Sequence, residues 1–271
     1  MKQRQTSAVA ALLQSREIWC MNACNRFINR ESLKSKVWTL NDRDGNLSSL
    51  IIHSRQSLLP VLCGHDVPPP HFLYGLSGES RIYSIQGIQR DVLILETELK
   101  KTGLIASESI DYDLMVLDRP PSGFLTSGPA ALVIRRAYLS DMDELVALHA
   151  AYEQEEVLPA AAEFNATASR LNIERIFAEE HMLVAELGGC LVGKINTNAT
   201  AFTRCQIGGV YVHPGCRSLG IARRMAGEFT ANLVAQGRGI SLFVKKSNPA
   251  ARRVYRHIGF TLTGDYRISY Y

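Results

Sequence analysis

"VYVHPGCRSLGIARRM", residues 210–225, changes its hydrophobic period from two to 3.6 across a turn rich in small residues. Val210 and Val212 alternate as strand residues do, Pro214 ends the ladder, and helical spacing begins at Ile221. Such a turn presents successive backbone N–H groups just where a helix starts, which makes an anion cradle. Arg217 adds a forked positive donor, while Gly220 and Ala222 keep bulk away so that phosphate oxygens can approach the main chain. The implied guest is a phosphate-bearing cofactor. It is neither a P-loop, because no Gly-Lys-Ser/Thr follows, nor a dinucleotide fingerprint, because the GxGxxG order is absent.

Immediately upstream, Gly208 and Gly209 stand inside the strand. Neither has a side chain to pack, so they predict a bulge or the close approach of another backbone-like chain. Further out, "LVIRRAY" reads as a strand, and Ser140, Asp141 and Asp143 open a helix running through "ELVALHAAYEQEE". "TASRLNIERIFAEE" is a second helix, and "HMLVAEL" and "LVGKINTNA" are strands joined by a Gly-Gly turn. Residues 221–236 form a helix and "ISLFVKK" a buried strand. Asn248 caps a helix over "NPAARRVYRHI", with Pro249 at its first position, and "RISYY" is a last strand.

These residues resemble the GNAT superfamily of N-acetyltransferases. Its pyrophosphate-binding signature is Arg or Gln, two residues, Gly, one residue, then Gly or Ala, here Arg217-Ser218-Leu219-Gly220-Ile221-Ala222. "VYVHP" is similar to the strand and proline before the family's loop, and "NPAARRVYRHIGF" to the Asn-x-x-Ala...Tyr...Gly-Phe segment closing its cofactor site. The resemblance covers about residues 132–271. It implies an α/β (α+β) fold with a mixed, splayed central sheet flanked by helices, and acetyl-CoA or another acyl-CoA as co-substrate, with no metal. Amides from Ser218 through Leu219, Gly220 and Ile221 to Ala222 would bind the coenzyme A pyrophosphate. The strand Gly209, Val210, Tyr211, Val212 would pair with the pantetheine arm, Tyr211 or Val212 offering its N–H to the thioester oxygen. Asn248 would touch the cofactor, and Tyr255 would protonate the departing thiolate.

One departure matters. Many members carry a glutamate base on the strand before the loop, but this strand reads Gln206-Ile207-Gly208-Gly209, and Gln206 takes no proton. Glu153, Glu155, Glu156, Glu186 and His213 are the other candidates for the base. The run "YEQEE" reads first as a solvated helix face and second as a pocket for a cationic amine. The expected activity is transfer of an acyl group to a primary amine of a small molecule or protein by direct attack. A non-enzymatic acyl-CoA sensor is the contrasting reading.

Composition bounds the rest. The 271 residues are 46% hydrophobic and 21% charged, enough for a sizeable core in one or two domains, and the formal net charge of +4 argues against a nucleic-acid-coating surface. The scattered arginines also lack clustered aromatic partners. "SAVAALL" near the N-terminus is too short to span a membrane and reads as part of an amphipathic helix. Six cysteines, at 20, 24, 63, 190, 205 and 216, form no CxxC pair and lack histidines at zinc-ligand spacing, which suits reduced thiols in the cytoplasm. Cys20 and Cys24, one helical turn apart, read as small residues on a buried face.

"RPPSGFLTSGPAA", residues 119–131, is a linker that separates an N-terminal domain, 1–118, from the domain at 132–271. In the N-terminal half, residues 8–29 have helical spacing, Asp44-Gly45 signals a hairpin over 37–54, and a Pro-rich break "DVPPPHF" follows. "RIYSIQG", "DVLILETELKK" and "DYDLMVLD" read as strand, helix and strand. This half resembles a divergent copy of the same unit without the Arg-x-x-Gly-x-Ala loop. It is expected to be non-catalytic and to shape acceptor access or mediate a homodimer.

Overall fold

The computed structural model describes residues 3–30, 34–63, 68, 82–125, 127–159 and 162–271; most of the Pro-rich break lies outside them. The chain forms two compact units, Met1–Leu114 with Thr263–Tyr271, and Met115–Leu262.

In the first unit the helical spacing of residues 8–29 is divided between α1 (Gln3–Ser15) and α2 (Met21–Ile28), with a short 3₁₀ turn, Glu17–Trp19, between them. Cys20 leaves helical geometry at φ −135°, which turns the chain. Its thiol lies 3.6 Å from that of Cys24, both buried. The hairpin forms as its turn residues require: β1 (Lys36–Asn41) and β2 (Leu47–Ser54) pair antiparallel. The Asp42 carboxylate accepts from the amides of Asp44 and Asn46, and Gly45 takes φ +81°.

A strand absent from the sequence reading follows. β3 (Ser57–Val61) pairs antiparallel with β2 through a two-residue turn in which Arg55 and Gln56 both have positive φ, 48° and 65°. Such turns favour Asn and Gly, so Arg-Gln carries no local signal. β4 (Ser84–Ile88), α3 (Gln89–Lys101) and β5 (Glu108–Leu117) are the expected strand, helix and strand. The last strand, β11 (Thr261–Tyr270), is twice the length of "RISYY" and pairs antiparallel with β4. The strand order is β1-β2-β3-β4-β11-β5. Val92, Leu95 and Leu99 of α3 bury one stripe against Ile51, Leu58 and Ile85.

The second unit is a mixed sheet with order β10-β9-β8-β7-β6. Its strands are β6 (Val133–Arg136), β7 (Met182–Leu187), β8 (Cys190–Thr200), β9 (Arg204–Val212) and β10 (Gly239–Lys245). Its helices are α4 (Met142–Tyr152), α5 (Ala166–Glu179), α6 (Ile221–Ala235) and α7 (Pro249–Ile258). Alternation sends successive strand residues to opposite faces. Val184 and Tyr211 pack with Leu145, Leu148 and Ile173 of α4 and α5, while Ala185 and Val212 pack with Ile221, Met225 and Phe229 of α6. Burying each such large side chain contributes about 1.5–3 kcal/mol, so both faces hold the sheet in place.

The helix expected to run through "YEQEE" ends at Tyr152, and Glu153–Val157 form a π turn closed by Leu158 N–H donating to Glu153 O at 2.9 Å. π turns recur where a helix must aim side chains that regular geometry would misplace.

Candidate functional site: a splayed strand beside a helix N-terminus

β9 leaves its neighbours where the glycines predicted irregularity. On the β8 side, Lys194 faces Tyr211 and Asn196 faces Gly208, so Gly209 and Val210 together oppose Ile195 in a bulge. Gly209 has φ +57°, and a Cβ there would overlap the Asn196 amide oxygen and come within 3.0 Å of Lys194 Nζ. A Cβ on Gly208 would overlap the Asn198 amide. On the β10 side, parallel pairing holds only for Arg204, Cys205 and Gln206, so β9 and β10 diverge from Ile207 onward. Among the described residues this splay leaves the β10-facing edge of Gly209–Val212 without a strand partner.

The loop after β9 delivers the cradle. Pro214–Cys216 form a 3₁₀ turn, Ser218 is left-handed at φ +64°, and Gly220 caps α6 at φ +81° with no side-chain bond. A Cβ on Gly220 would stand 2.9 Å from Gly128 N, so glycine is required twice over, by conformation and by space. The first-turn amides of α6 have no intrahelical acceptors. Together with Ser218 and Leu219, which are exposed, they give the donor set and dipole end that a pyrophosphate needs. The residues present therefore fit the phosphate part of coenzyme A, and the open edge of β9 fits an amide-bearing arm.

Arg217 does not point freely to solvent. Its Nε donates to Val212 O at 3.0 Å, and its two terminal nitrogens donate to Glu155 at 2.8 and 2.7 Å. Tyr211 donates its hydroxyl to the same carboxylate at 3.3 Å. The guanidinium holds the Glu155 carboxyl below its usual range, and burial, then the Glu155 charge, pushes the Tyr211 phenol up. Asn248 caps α7 by accepting from Ala251 N at 3.0 Å and donates to Glu156 at 3.3 Å, with Lys245 Nζ 3.9 Å from the same carboxylate. Glu153 accepts from Asn172 at 3.0 Å and lies 3.1 Å from His149 Nε2. The carboxylates of the acidic run fasten the π turn to the loop, to the α7 cap and to α5, while Glu155 stays partly open to solvent.

Tyr255 lies on α7 with its ring edge-on to Phe260 at 5.7 Å, and burial keeps its phenol protonated well above the usual range. Its hydroxyl makes no hydrogen bond among the described residues. His213 is exposed and accepts at Nδ1 from Gly215 N at 3.3 Å. Glu186 is held by Arg135 at 2.7 Å, and Arg135 also grips Asp141. Val210 belongs to the bulge, Tyr211 and Val212 follow it, and Leu219 and Ala222 flank the Gly220 cap.

Sequence reasoning missed Lys194. It is fully buried, donates from Nζ to Gly209 O at 3.0 Å and to Asn196 Oδ1 at 3.4 Å, and sits 4.5 Å from the centre of the Tyr152 ring. Burial pulls its pKa down to about 7. The available signal was a lysine between Gly193 and Ile195 in a strand otherwise reading as core, since lysine is almost never fully buried without partners.

Residues 142–260 match the acetyltransferase (GNAT) family. This stretch is a GNAT acetyltransferase domain. Acyl transfer is the chemistry of that family, and the splay and cradle of this domain lie within the matched residues. A GCN5-related N-acetyltransferase from Sphaerobacter thermophilus is similar over 99% of this chain and 93% of its own, at 18% identity and TM-score 0.63. A Drosophila protein is similar over 100% and 97%, at 13% identity and TM-score 0.69. A GNAT-family acetyltransferase from Novosphingobium aromaticivorans matches over 60% of this chain and 65% of its own, at 19% identity and TM-score 0.47. For the first two, at these identities, the likeness is one of fold alone, and it extends beyond the GNAT domain to the rest of the chain. No curated protein matches the chain. Among the described residues no helix is long and apolar enough to cross a membrane.

Proposed function

We propose that the protein transfers an acetyl or similar acyl group from its coenzyme A thioester to a primary amine by direct attack. The observation that carries this reading is the divergence of β9 from β10 beside a helix N-terminus whose glycine cap makes no side-chain hydrogen bond. The bound thioester supplies the acyl carbon: the amine nitrogen forms a bond to it, the C–S bond breaks, and the thiolate leaves with the electron pair. Ser218 to Ala222 hold the pyrophosphate, and the open edge of Gly209–Val212 aligns the amide-bearing arm. Tyr255, kept protonated by burial, gives its proton to the thiolate sulfur. The amine proton goes to His213, directly or through water: with the ring hydrogen on Nε2, the basic nitrogen is Nδ1, which takes the proton in place of its 3.3 Å bond from Gly215 N. Glu186, already gripped by Arg135, is left out of this scheme. The N-terminal unit is proposed to be non-catalytic. The number and spacing of the six cysteines support a reducing compartment such as the cytoplasm.

One observation favours a second reading, an acyl-CoA sensor without turnover: Glu153, Glu155, Glu156 and Glu186 are all engaged by neighbouring side chains. Calorimetric titration with acetyl-CoA, followed by thiol-release assays across a panel of amines, separates the readings. The wild type should bind, and Leu219→Asp, which puts a negative charge on an exposed residue at the cradle, should bind about tenfold more weakly. Absence of binding by the wild type would remove both readings. Binding without thiol release from any amine would select the sensor.

A further inference from the structure

Lys194 is a buried cation that the proposed scheme leaves without a task. Three electron-rich groups surround its Nζ: Gly209 O at 3.0 Å, Asn196 Oδ1 at 3.4 Å and the face of Tyr152 at 4.5 Å. An ammonium has three donors, one for each. A neutral amine acting as base would have to turn its lone pair toward one of these acceptors, so the arrangement suits a donor and not a proton acceptor. Replacing the tether also meets a packing limit, since Gly209 has no room for a Cβ between Asn196 and Lys194.

The peptide that Lys194 grips is the one at the bulge. Described peptide bonds include no cis linkage, and a trans peptide points its N–H opposite to its C=O. With Gly209 O directed at Lys194, the N–H of Val210 is directed away from it. A positive charge at the carbonyl end also polarises the peptide and strengthens that N–H as a donor. We infer that Lys194 is a positioning residue for acyl transfer: by fixing and polarising the Gly209–Val210 peptide, it makes the Val210 N–H the donor that receives the thioester oxygen. This moves the donor one residue upstream of Tyr211 and Val212, because the bulge, and not the regular strand beyond it, carries the held carbonyl. The inference rests on the acyl-CoA reading above.

The charge of Lys194 is adjustable. The titratable and charged groups facing it are His149 and Tyr152 from α4, Glu153 from the π turn, Arg175 from α5 through His149, and Tyr211 from β9. Burial, then Lys194 itself, pushes His149 down to about 4, and burial pushes Tyr211 up. Near neutral pH Lys194, at about 7, is therefore the neighbour whose charge changes. Loss of its proton as pH rises weakens the grip on Gly209 O.

The test is vibrational. Acetyl-CoA labelled with ¹³C at the thioester carbonyl is bound to the full chain, and the carbonyl stretch is compared with that of free acetyl-CoA. In the wild type the stretch should fall on binding, and the fall should shrink as pH rises through about 7. Lys194→Met should bind CoA, which has no thioester carbonyl, within about threefold of wild type by the cost of one remote polar contact, yet lose the downshift of acetyl-CoA. A downshift retained in Lys194→Met, or one in the wild type that is absent or independent of pH, overturns the role of Lys194 and leaves acyl-CoA binding intact. If the variant does not fold, the pH series on the wild type decides. Failure of the wild type to bind either CoA or acetyl-CoA overturns the acyl-CoA reading itself.

Discussion

Glu155→Gln should make the protein less stable and bind coenzyme A more tightly. Arg217 gives Glu155 two charge-assisted hydrogen bonds, 2.8 and 2.7 Å, from side chains that are 42% and 41% exposed. Exposed pairs contribute about 0.2–1 kcal/mol, and the two-pronged geometry places this one near the top of that range. Glutamine keeps the shape and one acceptor oxygen, so the loss should be about 0.5–1 kcal/mol, or roughly 1–4 °C in melting temperature for a chain of this size. Removing the carboxylate also leaves Arg217 with an uncompensated charge beside the cradle. Coulomb attraction through a water-like dielectric then predicts CoA affinity roughly two- to tenfold higher, a gain that shrinks as salt is added. Thermal melts and calorimetry at low and physiological ionic strength read both effects. The pH dependence has a fixed sign. Glu155 is held below the usual carboxylate range by Arg217, so the pair's contribution is complete above the ordinary carboxylate pKa and is lost as pH falls through the lowered value. The difference between wild type and variant should disappear there. An unchanged melting temperature together with weaker CoA binding would refute the reasoning, because it would mean that Glu155 aims Arg217 at the cofactor and does not compete for it.

Tyr255→Phe should leave stability and CoA affinity nearly unchanged, since the ring packs on Phe260 and the hydroxyl has no hydrogen-bond partner among the described residues, while turnover falls about a hundredfold, the usual worth of a positioned acid; equal turnover would sink the acid role. Gly209→Ala should cost roughly 2–4 kcal/mol, combining left-handed strain at φ +57° with the overlap on Asn196. A denaturant midpoint equal to wild type would show that the bulge relaxes around a Cβ.

Elements whose signals are local were legible. The hairpin at 37–54 follows from Asp42, Asp44 and Gly45, and the α7 start from Asn248 and Pro249, because each turn or cap is made by side chains within a few residues of the backbone they serve. β3 was not legible because Arg55 and Gln56 adopt positive φ that neither residue type announces. The break at Cys20 was hidden because the apolar spacing continues across it.

What the sequence determined by itself is the strand–turn–helix of the proposed cradle: the change of period, the small residues and the glycine cap lie within sixteen residues, and a helix N-terminus presents its amides whatever surrounds it. Tertiary structure decided how the surrounding charges are used. Glu155 reaches Arg217 across 62 residues and Glu156 reaches Asn248 across 92, and only the π turn after α4 aims both carboxylates at once. It also decided the charge environment of Lys194, whose partner Gly209 is 15 residues away on the neighbouring strand. A side chain's partners and burial are set by which strands become neighbours and where one of them bulges, and that information resides in the pairing of distant segments rather than in any stretch of the chain read alone.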